Sequence, residues 1–186
     1  MKKTLLALAL TVATSSSFAN EMFDMENAKK SATVGFASVG DYSGVKFGGR
    51  IDLASGLYAD ASYFTVSGDE GYGSYTFDVE TSQLKAIVGM HFPSTDQLYW
   101  LAEGGFVRSA AEVAGFEVTE NDLAYKFGAG WDFGNKVILE GYVASEGGDT
   151  FIGGFAKYEI NEKFDVTFEY NLYSDAHMFI MAAYKF

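Results

Sequence analysis

Between Phe164 and Tyr173 apolar and polar side chains alternate without a break. Phe164, Val166, Phe168, Tyr170 and Leu172 fall on one face, and Asp165, Thr167, Glu169 and Asn171 on the other. A period of two marks a strand, because successive side chains point to opposite faces. The pattern returns at Leu123 to Phe133, with Lys126 and Asp132 among the positions opposite its aromatics. It returns again at Val45 to Leu53, opposed by Lys46, Arg50 and Asp52. At Leu57 to Tyr63 the opposing residues are Asp60 and Ser62. At Leu98 to Phe106 Glu103 stands opposite Leu98, Trp100, Ala102 and Phe106. These runs approach the roughly 9–11 residues that a tilted strand needs to cross a bilayer.

Segmenting the chain at its turn residues predicts strands at 31–40, 44–53, 57–67, 75–91, 98–108, 121–133, 136–145, 150–160, 163–173 and 176–186. That is about ten strands, with eight as the alternative. In the fourth segment the alternation breaks between Glu80 and Leu84, so its upper part projects above a membrane or contains a bulge. Tight turns at Leu53–Gly56, Phe92–Gln97, Gly134–Asn135 and Asn161–Glu162 alternate with more variable connections at Asp41–Gly44, Gly68–Ser74, Ser109–Glu120, Glu146–Asp149 and Ser174–Asp175. Such alternation is what an up-and-down antiparallel barrel produces. The expected fold class is therefore all-β: one closed antiparallel up-and-down transmembrane β-barrel spanning 31–186.

Composition agrees with that reading. There are 17 Phe, 12 Tyr and 21 Gly but 1 Pro, which suits twisted, fully paired strands. The Cys count of 0 excludes a disulfide framework, a thiolate metal site and a cysteine nucleophile. The formal net charge is -12. An acidic chain without a basic patch argues against nucleic acid as a partner.

The first residues carry an export signal. Lys2 and Lys3 form a positive start, Leu5 to Val12 an apolar run, and Ser17-Phe18-Ala19 places small residues at the positions a signal peptidase reads. Residues 1–19 read as a Sec signal peptide and 20–30, which lack alternation, as a short periplasmic lead. After Asn20 every apolar run is interrupted by a charge or a glycine, so no segment reads as a membrane helix.

The last strand is the most specific motif. Phe186, Tyr184, Ala182, Ile180 and Met178 place a terminal aromatic, an aromatic two positions before it and apolar residues at every second position. This resembles the outer-membrane assembly signal read by the barrel-insertion machinery, with Ala182 smaller than the residue usual at that position. Taken with the leader and the strands, the chain resembles the small Gram-negative outer-membrane barrels, the broad family of OmpX/Ail-like proteins and the OmpA transmembrane domain. The resemblance implies insertion in the outer membrane of the cell envelope, in contact with lipid and lipopolysaccharide, and says little about activity.

If the assigned faces hold, the lumen collects the cations Lys46, Arg50, Lys85, Lys126, Lys157 and Lys185. Its anions are Asp52, Asp60, Glu103, Asp132, Glu140, Glu159, Asp165 and Glu169. A paired, mixed interior reads as a polar core that fills the barrel. A lining of one sign would read as a filter, and a narrow passive pore for small solutes or ions is the alternative. Asp69, Glu70, Glu112, Glu117, Glu120, Asp122, Glu146, Asp149 and Asp175 make the loops acidic, with no calcium-loop spacing. Candidates for the interfacial aromatic girdles are Tyr99, Trp100, Trp131, Tyr142, Tyr158, Tyr170, Tyr173 and Tyr184. His91 and His177 are too far apart in the chain to suggest a metal site. His91 falls at a periplasmic turn. Ser174, Asp175 and His177 could form an acid–base cluster but also read as turn chemistry. A lipid-modifying barrel enzyme is therefore the least favoured function. The expectation is a non-enzymatic barrel without cofactor that has a structural or surface-interaction role through its acidic loops.

Overall fold

The computed structural model describes residues 28–186 apart from 54–55 and 73–74. The leader and nearly all of the lead lie outside the described residues. The rest forms ten strands: β1 (Lys29–Val39), β2 (Tyr42–Asp52), β3 (Leu57–Tyr72), β4 (Tyr75–Pro93), β5 (Leu98–Val113), β6 (Phe116–Asp132), β7 (Val137–Glu146), β8 (Asp149–Glu159), β9 (Phe164–Leu172) and β10 (Ala176–Lys185). Each pairs antiparallel with its sequence neighbour, and β10 pairs with β1 to close the barrel. The strands tilt strongly. From Lys29, at the start of β1, cross-strand partners lead through Asp52, Tyr58, Gly89, Glu103, Lys126 and Ala144 to Phe151, near the loop end of β8. That stagger is the shear a closed barrel requires.

The outside of this barrel is apolar where a soluble protein would be polar. Val34, Phe47, Val88, Phe106, Val143 and Ile180 are exposed, and Phe127 is 65% exposed. A continuous apolar exterior of this kind is stable against hydrocarbon, and the fold is that of a transmembrane barrel. Trp100, Trp131, Phe133, Phe164, Tyr184 and Phe186 are exposed near the end that carries both described termini, where an aromatic girdle meets the interface.

Three strands run well beyond their expected ranges at the loop end, where they join the long β4 that the sequence predicts. Residues 68–72 and 109–113, expected as connections, continue β3 and β5, and 116–120 begin β6. The β3–β6 hairpins therefore stand above the rest as a projecting sheet. The pairing of β4 runs without a bulge from Tyr72↔Tyr75 and from Val79↔Val113. Its apparent irregularity at Glu80–Leu84 is a change of polarity. Below Leu84 the outward positions Ala86 and Val88 are apolar, and above it Ser82, Glu80 and Asp78 are polar. Projection out of the membrane inverts what the outer face must meet while the strand itself continues. Turn chemistry caps these hairpins. Ala114 and Gly115 (φ 52° and 83°), like Gly147 and Gly148, both take positive φ, which is the geometry of tight two-residue hairpin turns.

Glycines make room for lumenal tyrosines. Gly89, Gly130 and Gly153 stand directly across the pairing from Tyr58, Tyr99 and Tyr142. A Cβ on Gly89 would lie 2.3 Å from Tyr58 Cζ, whereas one on outward-facing Gly104 would meet nothing within 4 Å. Gly89→Ala is therefore expected to lower the urea-unfolding stability of the refolded barrel by about 1–3 kcal/mol. Gly104→Ala should stay within about 0.5 kcal/mol. Equal effects would show that the ring does not rest on Gly89.

Candidate functional site

The lumen is built from alternate residues of every strand, so its chemistry is set by strand phase. At mid-barrel Lys46 Nζ lies 2.9 Å from Glu169 Oε2, Lys85 Nζ 2.8 Å from Glu146 Oε1, and Lys126 Nζ 2.7 Å from Glu103 Oε1. Tyrosines complete the carboxylates. Tyr142 donates to Glu169 (3.1 Å) and Asn171 (2.8 Å), and the Asn171 amide donates to Glu169 (3.1 Å). Tyr58 donates to Glu103 (2.6 Å), Tyr99 to Glu140 (2.6 Å) and Tyr173 to Glu146 (3.2 Å). Lysine ammoniums also lie over aromatic rings, Lys46 on Phe179 at 3.8 Å and Lys126 on Tyr142 at 4.6 Å. Each member of these three pairs thus has an opposite charge, and most have a ring or a hydroxyl as well, while Glu140 is met by the Tyr99 hydroxyl. That arrangement is what low-dielectric burial requires.

The other lumen candidates form looser groups. Arg50 Nε pairs with Asp52 (2.6 Å), and the guanidinium stacks on Tyr58 at 3.7 Å. Lys185 pairs with Glu159 and, at 3.0 Å, with Asp165 near the terminal end. Asp132 accepts from the Gly134 amide (2.8 Å) and so caps a turn. Asp60 and Lys157 occupy lumen-facing register positions beside Arg50 and Thr167, and neither forms an ion pair among the described residues. Phe186, Tyr184, Ala182, Ile180 and Met178 share the outward phase of β10, and the Phe186 amide donates to Lys30 O (2.9 Å).

Three girdle candidates sit on the wrong side for that role. Tyr99, Tyr142 and Tyr173 point into the lumen, where each finds a carboxylate, while Trp100, Trp131, Tyr158, Tyr170 and Tyr184 face outward. Glu146, read as a loop acid, is instead the lumenal partner of Lys85. Phase alone identifies the first two, because Tyr99 is in step with Glu103 and Tyr142 with Glu140. A glutamate at the end of a strand carries no such signal.

Apolar side chains pack beside these charges in the lumen. Ala37, Phe64, Val66, Phe179 and Met181 form one buried cluster, and Tyr142, Ala144 and Phe151 another. Among these groups lies a cavity of about 10 Å³ bordered by Lys46, Lys85, Glu146, Glu169, Phe64 and Phe179, room for about one water. His177 stacks on Tyr173 with ring centroids 4.1 Å apart. Among the described residues it makes no hydrogen bond to Ser174 or Asp175, so the possible acid–base cluster is not assembled. His91 lies between Tyr58 and Tyr99 at 4.8 and 4.7 Å, nearer the terminal end. Among the described residues no group of three or more His, Asp or Glu is placed to hold a metal.

The rim at the loop end is acidic. A cavity of about 570 Å³ on the projecting sheet is bordered by Asp69, Asp78, Glu80 and Glu112. Beyond the apolar belt at this end Arg108 is the one cationic side chain among the described residues.

No family model and no curated protein matches the chain. Among solved structures the barrel is similar to the KdgM porin, with a TM-score of 0.50 and 10% identity over 84% of this chain and 99% of that one. It is also similar to Ail, the attachment invasion locus protein of Yersinia pestis, in complex with the heparin analogue sucrose octasulfate (TM-score 0.41, 14% identity, 86% and 99% covered). A third is Neisserial surface protein A (TM-score 0.40, 12% identity, 86% and 96% covered). At such identities the likeness establishes the fold alone.

Proposed function

We propose that this protein is a non-enzymatic outer-membrane barrel whose lumen is filled, and that it acts through its exposed end. The observation that carries the reading is the mid-barrel layer of Lys46–Glu169, Lys85–Glu146 and Lys126–Glu103 pairs, packed against buried apolar side chains. Paired charges around a cavity that holds about one water support a structural core; a permeation path needs a continuous water column. The outward apolar belt fits a bilayer, and the leader and the β10 pattern support export and insertion by the barrel-assembly machinery into a membrane of lipid and lipopolysaccharide. The acidic rim supports a structural or surface-interaction role at the cell surface.

The second reading is a narrow passive pore, favoured by the shared fold with a protein described as a porin. Conductance separates the two. The refolded protein, its folding checked by a heat-sensitive gel shift, is expected to leave a planar bilayer silent. Reproducible open-channel steps would overturn the filled-barrel reading and assign permeation.

A further inference from the structure

The projecting sheet has an open edge. β6 pairs with β5 along Phe116–Trp131, but β7 reaches only Ala124–Asp132. Phe116–Leu123 therefore has no strand on its second side among the described residues. The turn at Ala114–Gly115 closes on Val113↔Phe116, and in a hairpin of this type that pair exchanges its hydrogen bonds. Glu117, Thr119, Asn121 and Leu123 consequently direct their N–H and C=O groups away from β5, into the open.

The side chains beside this edge are specific. On the concave face, in phase with buried Ala124, stand Phe116 (80% exposed), Val118 (62% exposed), Glu120 and Asp122. Two large apolar residues are thus followed by two carboxylates. Soluble and surface proteins ordinarily blunt a bare edge or cover it. Here a second copy of the chain whose β6 runs the same way and in register would set Glu117, Glu120 and Asp122 against their own counterparts, and facing like charges disfavour that pairing. A partner that matches must supply cations where this edge supplies anions.

We propose that the free edge of β6 is a docking site for an extended cationic segment of another polypeptide, which adds to it as an antiparallel strand. Main-chain bonds to Glu117, Thr119, Asn121 and Leu123 provide the binding, and alternate side chains provide the selection. Read from its N-terminus, the fitting segment places two basic residues opposite Asp122 and Glu120, then two apolar residues opposite Val118 and Phe116. The site names the partner chemistry for the surface-acting role proposed above and rests on that reading for its biological setting.

The test uses the refolded barrel in lipid nanodiscs and a fluorescent peptide, Lys-Thr-Lys-Thr-Val-Thr-Val. Saturable binding is expected, with slowed hydrogen exchange at the amides of Glu117, Thr119, Asn121 and Leu123. Thr119→Pro removes an outward-facing donor and is tolerated on an edge strand. It should weaken binding about tenfold or more while the heat-sensitive gel shift stays normal. Thr119→Ala, which keeps the amide, should bind as the unaltered protein does. Replacing Glu120 and Asp122 together by Lys should also abolish binding. Absence of peptide binding, binding indifferent to Thr119→Pro, protection located elsewhere, or self-association through this edge would each overturn the proposal. Conductance of the same preparation reports separately on the filled lumen, so either conclusion can fail alone.

Discussion

Glu169→Gln is expected to destabilise the barrel by about 3–5 kcal/mol, read as a fall in the urea midpoint at unchanged slope. The carboxylate pairs with Lys46 and accepts from Tyr142 and Asn171. Its side chain is 14% exposed, and that of Lys46 is 9%. The neutral amide retains the shape but leaves the ammonium of Lys46 uncompensated in the lumen. Replacing both partners, as Lys46→Met with Glu169→Leu, should recover most of the loss, because removing a buried pair together is often near neutral. The size of the effect also tests the functional reading. In a water-filled lumen the same pair would be screened and worth at most about 1 kcal/mol. A loss that small for Glu169→Gln would mean that water fills the space between the pairs.

Phe168→Arg should cost about 2–4 kcal/mol in the same measurement. Phe168 lies midway along β9, pairs with Ile180 of β10 and is 41% exposed on the outer wall. In a soluble barrel an exposed phenylalanine could become arginine with little penalty or even a gain. At the middle of a bilayer the guanidinium must be held in hydrocarbon or snorkel to the interface. Comparing the variant in lipid vesicles isolates the contribution of the bilayer. An unchanged midpoint would place this face in water and remove the membrane from the account.

The two substitutions sit one residue apart, and the sequence alone distinguishes them. Asp165, Thr167, Glu169 and Asn171 against Phe164, Val166, Phe168 and Tyr170 is a period of two that no helix can satisfy. The polarity of each face then follows from whether lipid or lumen meets it. The even strand number, the tight turns and the phase of β2, β5, β6 and β9 are local in the same sense, because each is set by residues within one hairpin. Period two did not by itself reveal the length of β3, β5 and β6. Above Leu84 in β4 and above Val107 in β5 the chain leaves the membrane, the outer face becomes polar, and the phase of the apolar residues reverses. Phe116 and Val118 therefore point to the concave side while Glu117 and Thr119 point out, and a continuing strand resembles a loop.

What only the tertiary structure decided are relations between distant strands. Lys46 and Glu169 are 123 residues apart and meet because closure brings β2 opposite β9. Lys85 finds Glu146 across 61 residues. Phase places a charge in the lumen, but its level depends on the stagger accumulated around the barrel, and that stagger chooses its partner. The open edge of β6 is likewise invisible in its own residues. It exists because β7 turns back at Glu146 while β6 continues to Phe116. Alternation fixed which way each side chain points, because that depends on the backbone of one strand. Closure fixed what each side chain meets, because that depends on the register of all ten.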